Sequence, residues 1–328
     1  MKKILIVTMS CNDKFFASQI EDIKKTWASD LPSNVEWLYY TGDEFSKTYL
    51  DGDHLVVSSE DDLVNTFKKT VYALSYCIDN FDFDYIVRTN TSTYINVKFL
   101  SYFIEKLSNE GCVYGSELYS LTEGYAPRPL DIYARGNCMI LDKLAVVNLI
   151  NNALPFVFLE KVDDMMIGNI LNSYWLMRNE DYMKHIKGCM HGWYKCVPVK
   201  YNSNHRLCEY GHSEGGIDFY SKFISIQIKN YVDRSKESDA YKELHSYFVD
   251  WNPTEEELEK LYNQAVEYSN NPSIFIGSIL GYIDLNTWKS IDKDKLYWTE
   301  FSNKAVDDVE RLKYIKYLER KKNMKKTK

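Results

Sequence analysis

Between residues 3 and 230, short β-rich runs alternate with stretches of helical periodicity, and no other feature restricts the fold as much. The runs are Lys3–Thr8, Val35–Tyr40, His54–Val57, Tyr85–Arg88 and Cys112–Tyr114. Between them, the apolar spacing predicts helices over Asp13–Ala28, Asp61–Cys77, Val97–Leu107, Asp142–Asn151 and Asp163–Tyr174. Alternation that opens on an apolar strand folds as an α/β sheet, mostly parallel, with helices on both faces. The first strand runs into "VTMSCND", which holds neither GxGxxG nor GxxxxGK. A dinucleotide site and a P-loop are therefore not expected there.

The character changes after "IQIKNYVDR". "NPTEEELEKLYNQAVEY" starts as a helix, with Asn252 as N-cap, Pro253 in the first turn and Glu255, Glu256 and Glu257 at the positive dipole end. "AVDDVERLKYIKYLERKK" is a second amphipathic stretch. The chain divides accordingly into an α/β domain, residues 1–232, and a helical C-terminal appendage, residues 233–328.

At 45% apolar and 27% charged residues, the composition is that of an ordered chain. Charge is unevenly spread. From Arg311 to Lys328 nine basic residues face one acid, which leaves −15 on the other 310 residues. A body that acidic is a poor match for a nucleic-acid backbone. The basic tail suits an anionic membrane surface, or is simply a solvated helix end. The apolar run Ile4–Val7 is too short for a signal peptide, and no run approaches the ~18 apolar residues of a membrane helix. Seven cysteines without a CxxC pair predict reduced thiols and a cytoplasmic setting. Cys189 and Cys196 flank His191, but at a spacing that fits no familiar zinc pattern.

Four stretches could carry chemistry: "IKKTW" ending at Trp27, "EDDLVNTFKKTVYAL" from Glu60, "FDFDYIVRTNTSTYIN" from Phe81, and "VDDMMIGNIL" from Val162. Each has an ordinary structural reading. Asp163 and Asp164 complement a helix dipole, Trp27 is core, and Lys68 and Lys69 are solvated. Taken in order, the stretches resemble the inverting glycosyltransferases that include fringe and the β-1,3-galactosyltransferases. The matching segments are Lys24–Trp27, Asn65–Thr70 with Lys69 in register, Tyr85–Asn96, Tyr133–Leu141 with Gly136 in register, and Asp163–Gly168. The resemblance covers about residues 3–230.

It implies a GT-A fold, Rossmann-like, and a sugar-nucleotide donor lying across the carboxyl ends of the early strands, a UDP-sugar foremost. Thr8, Ser10, Asp43 and Lys69 would then lie near the nucleotide, with Gly136 also on the donor side. Asp164 matches the family's base, and Asp163 would cap the helix or orient a partner. The chemistry is coherent. Displacement at an anomeric carbon passes through an oxocarbenium-like state, and a carboxylate takes the acceptor's proton. The departing diphosphate needs a metal or fixed cations.

The family's metal-binding carboxylates are replaced here by Asn90, Thr91 and Ser92. Neutral amides and hydroxyls are poor ligands for a hard cation but good partners for sugar hydroxyls and phosphate oxygens. The leaving charge would then fall to Arg88, Lys69 and Lys229, although alternation with Val87 leaves the direction of Arg88 open. Transfer is accordingly expected to need no metal cofactor. Manganese or magnesium remains the alternative, with Asp51 and Asp53 supplying ligands, although Asp51-Gly52-Asp53 reads as a turn. His205 and His212 are nearby candidates for a late metal-binding histidine, but neither sits in a clear motif. The expected function is an inverting glycosyltransferase acting on a glycan or lipid-linked acceptor. The alternatives are a phage-type transferase acting on DNA bases and a catalytically inactive sugar-nucleotide or glycan-binding protein.

Overall fold

The computed structural model describes residues 1–108, 110–115, 118–120, 132–159, 162–181, 184–194, 216–229, 234–270, 273–275 and 282–284. His205, His212, Cys196 and the basic tail lie outside the described residues.

The chain runs β1 (Ile4–Met9), α1 (Lys14–Lys25), β2 (Val35–Gly42), β3 (Tyr49–Asp51), β4 (His54–Val57), α2 (Thr66–Asn80) and β5 (Tyr85–Asn90). It continues through β6 (Thr93–Ile95), α3 (Val97–Glu105), β7 (Val113–Gly115), β8 (Leu118–Ser120), β9 (Ile132–Ala134), β10 (Cys138–Asp142) and α4 (Lys143–Ala153). Then come α5 (Asp163–Met177), β11 (Ile186–Gly188), β12 (His191–Trp193), α6 (Gly216–Tyr220), β13 (Ser225–Gln227), α7 (Glu237–Phe248) and α8 (Glu255–Asn270). Two short strands, β14 (Ser273–Phe275) and β15 (Tyr282–Asp284), follow.

The main sheet has the order β11-β7-β10-β5-β1-β2-β4-β3, and only β10 and β3 run against the other strands. This is a mixed α/β architecture with a mostly parallel sheet. Alternation along β1 explains why both faces are covered. Leu5 and Val7 pack with α2, α4 and α5, whereas Ile4 and Ile6 pack with α1, α3 and α7. A small second sheet, β12-β13-β6, and a third, β15-β14-β8-β9, flank the first.

Helix starts follow local chemistry. Asp13 caps α1 by accepting from Phe15 N (2.8 Å), and Asp142 caps α4 by accepting from Ala145 N (2.8 Å). The second helix begins at Thr66 and not at Asp61. Asp61 is spent on the loop, accepting from Asn12 N, Gly42 N and Lys69 Nζ, while Asp62 accepts from Asn65 N and Nδ2. Those bonds hold residues 61–65 as a turn.

Residues 237–248 and 255–270 are helical, the second helix starting after Thr254, whose hydroxyl accepts from Glu257 N (3.2 Å), and not at Asn252. The two helices do not stand apart from the sheet. Tyr241, Leu244, Phe248 and Ala265 belong to the same buried cluster as Ile4, Ile6 and Val87. The Tyr241 hydroxyl lies 2.7 Å from Thr91 O and 3.1 Å from Thr93 O, in the turn that leaves β5. An amphipathic helix reads the same whether it packs on its own neighbours or on a sheet, so the appendage boundary at 233 is not a boundary of the core. Tyr241→Phe should therefore destabilise the whole chain, by ~1–3 kcal/mol, because buried carbonyls lose their donor. A urea midpoint equal to the parent's would show that α7 docks without that contact.

Candidate active site

β1 and β5 are neighbours at the point where the strand order reverses, with β2 and β4 built out on one side and β10 and β7 on the other. A crevice opens at such a switch point beyond the carboxyl ends of the strands. Here it is a cleft of about 770 Å³. Its lining includes Ser10 and Cys11 after β1, Asn90, Thr91 and Ser92 at the end of β5, Gly136 before β10, and Asp163 and Asp164 at the start of α5. A cleft of that size can hold a nucleotide-sized ligand.

The two aspartates have different surroundings. Asp163 is buried, ion-paired with the Arg88 guanidinium and bonded by Thr70 Oγ1 (3.0 Å), whose own partner is the Tyr40 hydroxyl (2.8 Å). Asp164 is half-buried at the cleft wall, accepting from Gly136 N (3.1 Å) and Met165 N (2.8 Å). Burial, and then the negative charge of Asp163, raise its pKa. Arg88 joins the two, because it also donates to Gly136 O. Arg88 shares its strand face with Ile86, on the α2/α5 side, so it reaches the cleft floor. It is already engaged there with Asp163. A Cβ on Gly136 would stand 2.6 Å from Arg88 Nη1, and one on Gly168 would stand 2.4 Å from Tyr133 Cβ. Both glycines of the matched segments thus permit close approaches that hold α5 in place.

The nucleotide-side residues divide. Ser10 lines the cleft, but its carbonyl accepts from Lys69 Nζ (2.8 Å). Lys69 is fully buried, paired with Asp61 (2.6 Å), and lies beneath the loop after β1 instead of in the cleft. Thr8 points into the sheet's packing, where its hydroxyl accepts from Trp37 Nε1 (2.9 Å). Asp43 closes a turn by accepting from Ser46 Oγ (2.5 Å) and Phe45 N (3.1 Å), and it is not among the cleft's lining residues. Helical spacing marks Lys69 as solvated only if nothing packs above it. The contacts with Asp61 and with Ser10 O, the latter 59 residues away, reverse that.

The end of β5 reads as part of a wall. Asn90 Oδ1 accepts from Ser92 N, Ser92 Oγ and Thr93 Oγ1, Thr91 Oγ1 bonds Gln19 Oε1 (2.5 Å), and Ser92 Oγ accepts from Gln227 Nε2 (2.8 Å). A divalent cation needs oxygens that are still free to turn toward it, and carboxylates above all. These residues do not fit one. Asp51-Gly52-Asp53 is the β3–β4 hairpin turn, with Gly52 at φ +60° and Asp53 paired to Lys24 (3.1 Å). His191 is bonded to Asn137 Nδ2 (3.1 Å) and Ser225 Oγ (2.8 Å). Among the described residues, no cluster of three His, Cys, Asp or Glu side chains is placed to hold a metal.

Besides Arg88, three cations line the same cleft: Lys229 after β13, Arg234 just before α7, and Arg135 before Gly136. Sequence reasoning found Lys229 but missed Arg135 and Arg234. Arg135 adjoins a glycine already in register, and Arg234 sits three residues before Glu237, a spacing for an ion pair.

No family model matches the chain, and no curated protein matches it. Among solved structures, the chain is similar to "a glycosyltransferase involved in the glycosylation of the major capsid of PBCV-1". The two are 9% identical, the match covers 72% of this chain and 98% of that chain, and the TM-score is 0.35. A likeness that distant leaves the functional reading to the residues themselves.

Proposed function

We propose that the protein is an inverting glycosyltransferase that moves a sugar from a nucleotide-sugar donor, a UDP-sugar foremost, to a hydroxyl of a glycan or lipid-linked acceptor. The observation that carries this reading is the divided acid pair beside the switch-point cleft. Asp163 is neutralised by Arg88, which removes it as a nucleophile. Asp164 is left as a single carboxylate with a raised pKa, as a general base requires.

In one step the acceptor oxygen bonds to the anomeric carbon and gives its proton to Asp164. The anomeric carbon–oxygen bond breaks, and its electron pair leaves with the diphosphate. Attack from the face opposite the leaving group inverts the centre. The free thiols of the described cysteines support a reducing, cytoplasmic setting. Among the described residues, no helix is long and apolar enough to cross a membrane.

The replacement of the carboxylates at Asn90, Thr91 and Ser92 favours a second reading, a nucleotide-sugar-binding protein without turnover. A panel of nucleotide sugars separates the two. The transferase reading expects one donor class to raise Tm, by up to ~2.7 kcal/mol of stabilisation at a hundredfold excess over Kd, and to be hydrolysed slowly without acceptor. Binding without release of nucleotide from any donor would leave the binding protein. A panel in which no donor binds would remove both readings.

A further inference from the structure

Of the three residues that stand where a metal-binding triplet would be expected, Thr91 and Ser92 brace segments that carry a cation, and Asn90 touches the neighbour of a third. Thr91 bonds Gln19, Gln19 Nε2 donates to Glu237, and Glu237 holds Arg234 through two bonds, Nε to Oε1 at 2.8 Å and Nη2 to Oε2 at 3.0 Å. Ser92 accepts from Gln227 Nε2 through its hydroxyl (2.8 Å) and from Ile228 N through its carbonyl (2.9 Å), which sets the chain that carries Lys229. Asn90 Nδ2 faces Gly136 O (3.5 Å), the residue that follows Arg135. The three substitutions are thus parts of one scaffold.

We propose that Arg135, Lys229 and Arg234 form a metal-independent clamp for a diphosphate, its ligand class being a nucleoside diphosphate. The assignment of that diphosphate to a sugar donor rests on the transferase reading. The clamp itself rests on the geometry of the cleft.

Arg234 is pre-organised, with its guanidinium 4.5 Å over the Phe15 ring and 5.7 Å over Phe16 while Glu237, almost fully buried, fixes its plane. A guanidinium has five donors, and Glu237 takes two of them. All three cations line one cleft, and both arginines lie close enough to Lys229 to oppose its charge. Burial, and then the charges of Arg234 and Arg135, depress the pKa of Lys229, with Glu237 acting against them. An anion of two or more charges relieves that opposition. Fixed cations held in place before the reaction stabilise developing phosphate charge as a metal ion would, with little reorganisation during the reaction.

The test is calorimetric titration of the full chain with inorganic pyrophosphate, UDP, ADP and GDP, in excess EDTA and again with manganese. UMP serves as the control. The clamp predicts that pyrophosphate or a nucleoside diphosphate binds in EDTA. Lys229→Met and Arg135→Gln should each weaken that binding by ~10- to 100-fold, the range of a hydrogen bond to a charged group, in chains that still unfold cooperatively. Glu237→Gln should weaken it less and Thr91→Val less again, because both act through Arg234. UMP should bind more weakly than UDP and respond less to the substitutions. Binding that appears only with manganese, or that ignores Lys229→Met and Arg135→Gln, overturns the clamp while leaving a metal-dependent transferase standing. Pyrophosphate bound without any nucleoside diphosphate supports the clamp and removes the sugar donor. If nothing binds in either medium, both ideas fall.

Discussion

Asp164→Asn should abolish most transfer, by about 10²-fold or more, while the nucleotide binds as in the parent. The change is nearly isosteric, and an amide oxygen can still accept from Gly136 N, so the fold and the cleft are kept. Only the ability to take a proton is lost. The pH profile supplies an independent reading. Burial and the adjacent Asp163 raise the pKa of Asp164 above the usual ~3.9 of an aspartate, and the base works only when ionised. Transfer should therefore fall as pH is lowered through that raised pKa, on a limb that begins above the ordinary carboxylate range. The limb should be missing from whatever activity Asp164→Asn retains. A variant that turns over normally, or a parent profile flat down to the ordinary aspartate range, would return the residue to the role of a helix-start acid.

Arg88→Met should be the most destabilising single change in the site, costing ~3–5 kcal/mol, because it leaves a buried carboxylate without its counter-charge. Arg88 and Asp163 are both almost fully buried, and the cation also holds Gly136 O. The size of the effect thus measures an unpaired charge more than the strength of the pair. The double variant Arg88→Met/Asp163→Asn should accordingly be more stable than Arg88→Met alone, since the orphaned charge is gone. Urea unfolding of the two single variants and the double variant gives the coupling directly. Strictly additive costs would mean that the two groups do not act as a pair, and Asp163 would then be available for chemistry. The partner change Asp163→Asn should reduce transfer less than Asp164→Asn, and through kcat more than KM, because it shifts α5 and its neighbour's charge and removes no reacting group.

Much of the architecture was legible because it follows from local periodicity. The alternation of apolar strands with amphipathic helices requires a two-faced α/β sheet, and the strands beginning near residues 4, 35, 54 and 85 are found where the pattern puts them. The start of α5 at Asp163 was equally legible, since two acids before an apolar helical run complement the dipole wherever the helix packs. The turn at Asp51-Gly52-Asp53 needed only its glycine.

The second helix was misread at its start for the opposite reason. Asp61 and Asp62 look like first-turn acids, yet Asp61 is claimed by Asn12, Gly42 and Lys69, partners up to 49 residues away. No window of local sequence contains that competition.

By itself the sequence determined a mostly parallel α/β sheet with helices on both faces and where four of its strands begin, because each depends on side-chain spacing within about twenty residues. Which charges face that cleft was decided only by tertiary structure. Lys69, a natural candidate for the diphosphate, is buried against Asp61, and Arg88 is spent on Asp163. Arg234, from beyond the expected end of the domain, reaches the cleft because α7 packs on the sheet and Glu237 braces it. The physical reason is the cost of a buried charge. An ionic side chain goes wherever a partner of opposite sign can meet it, and those partners come from anywhere in the chain.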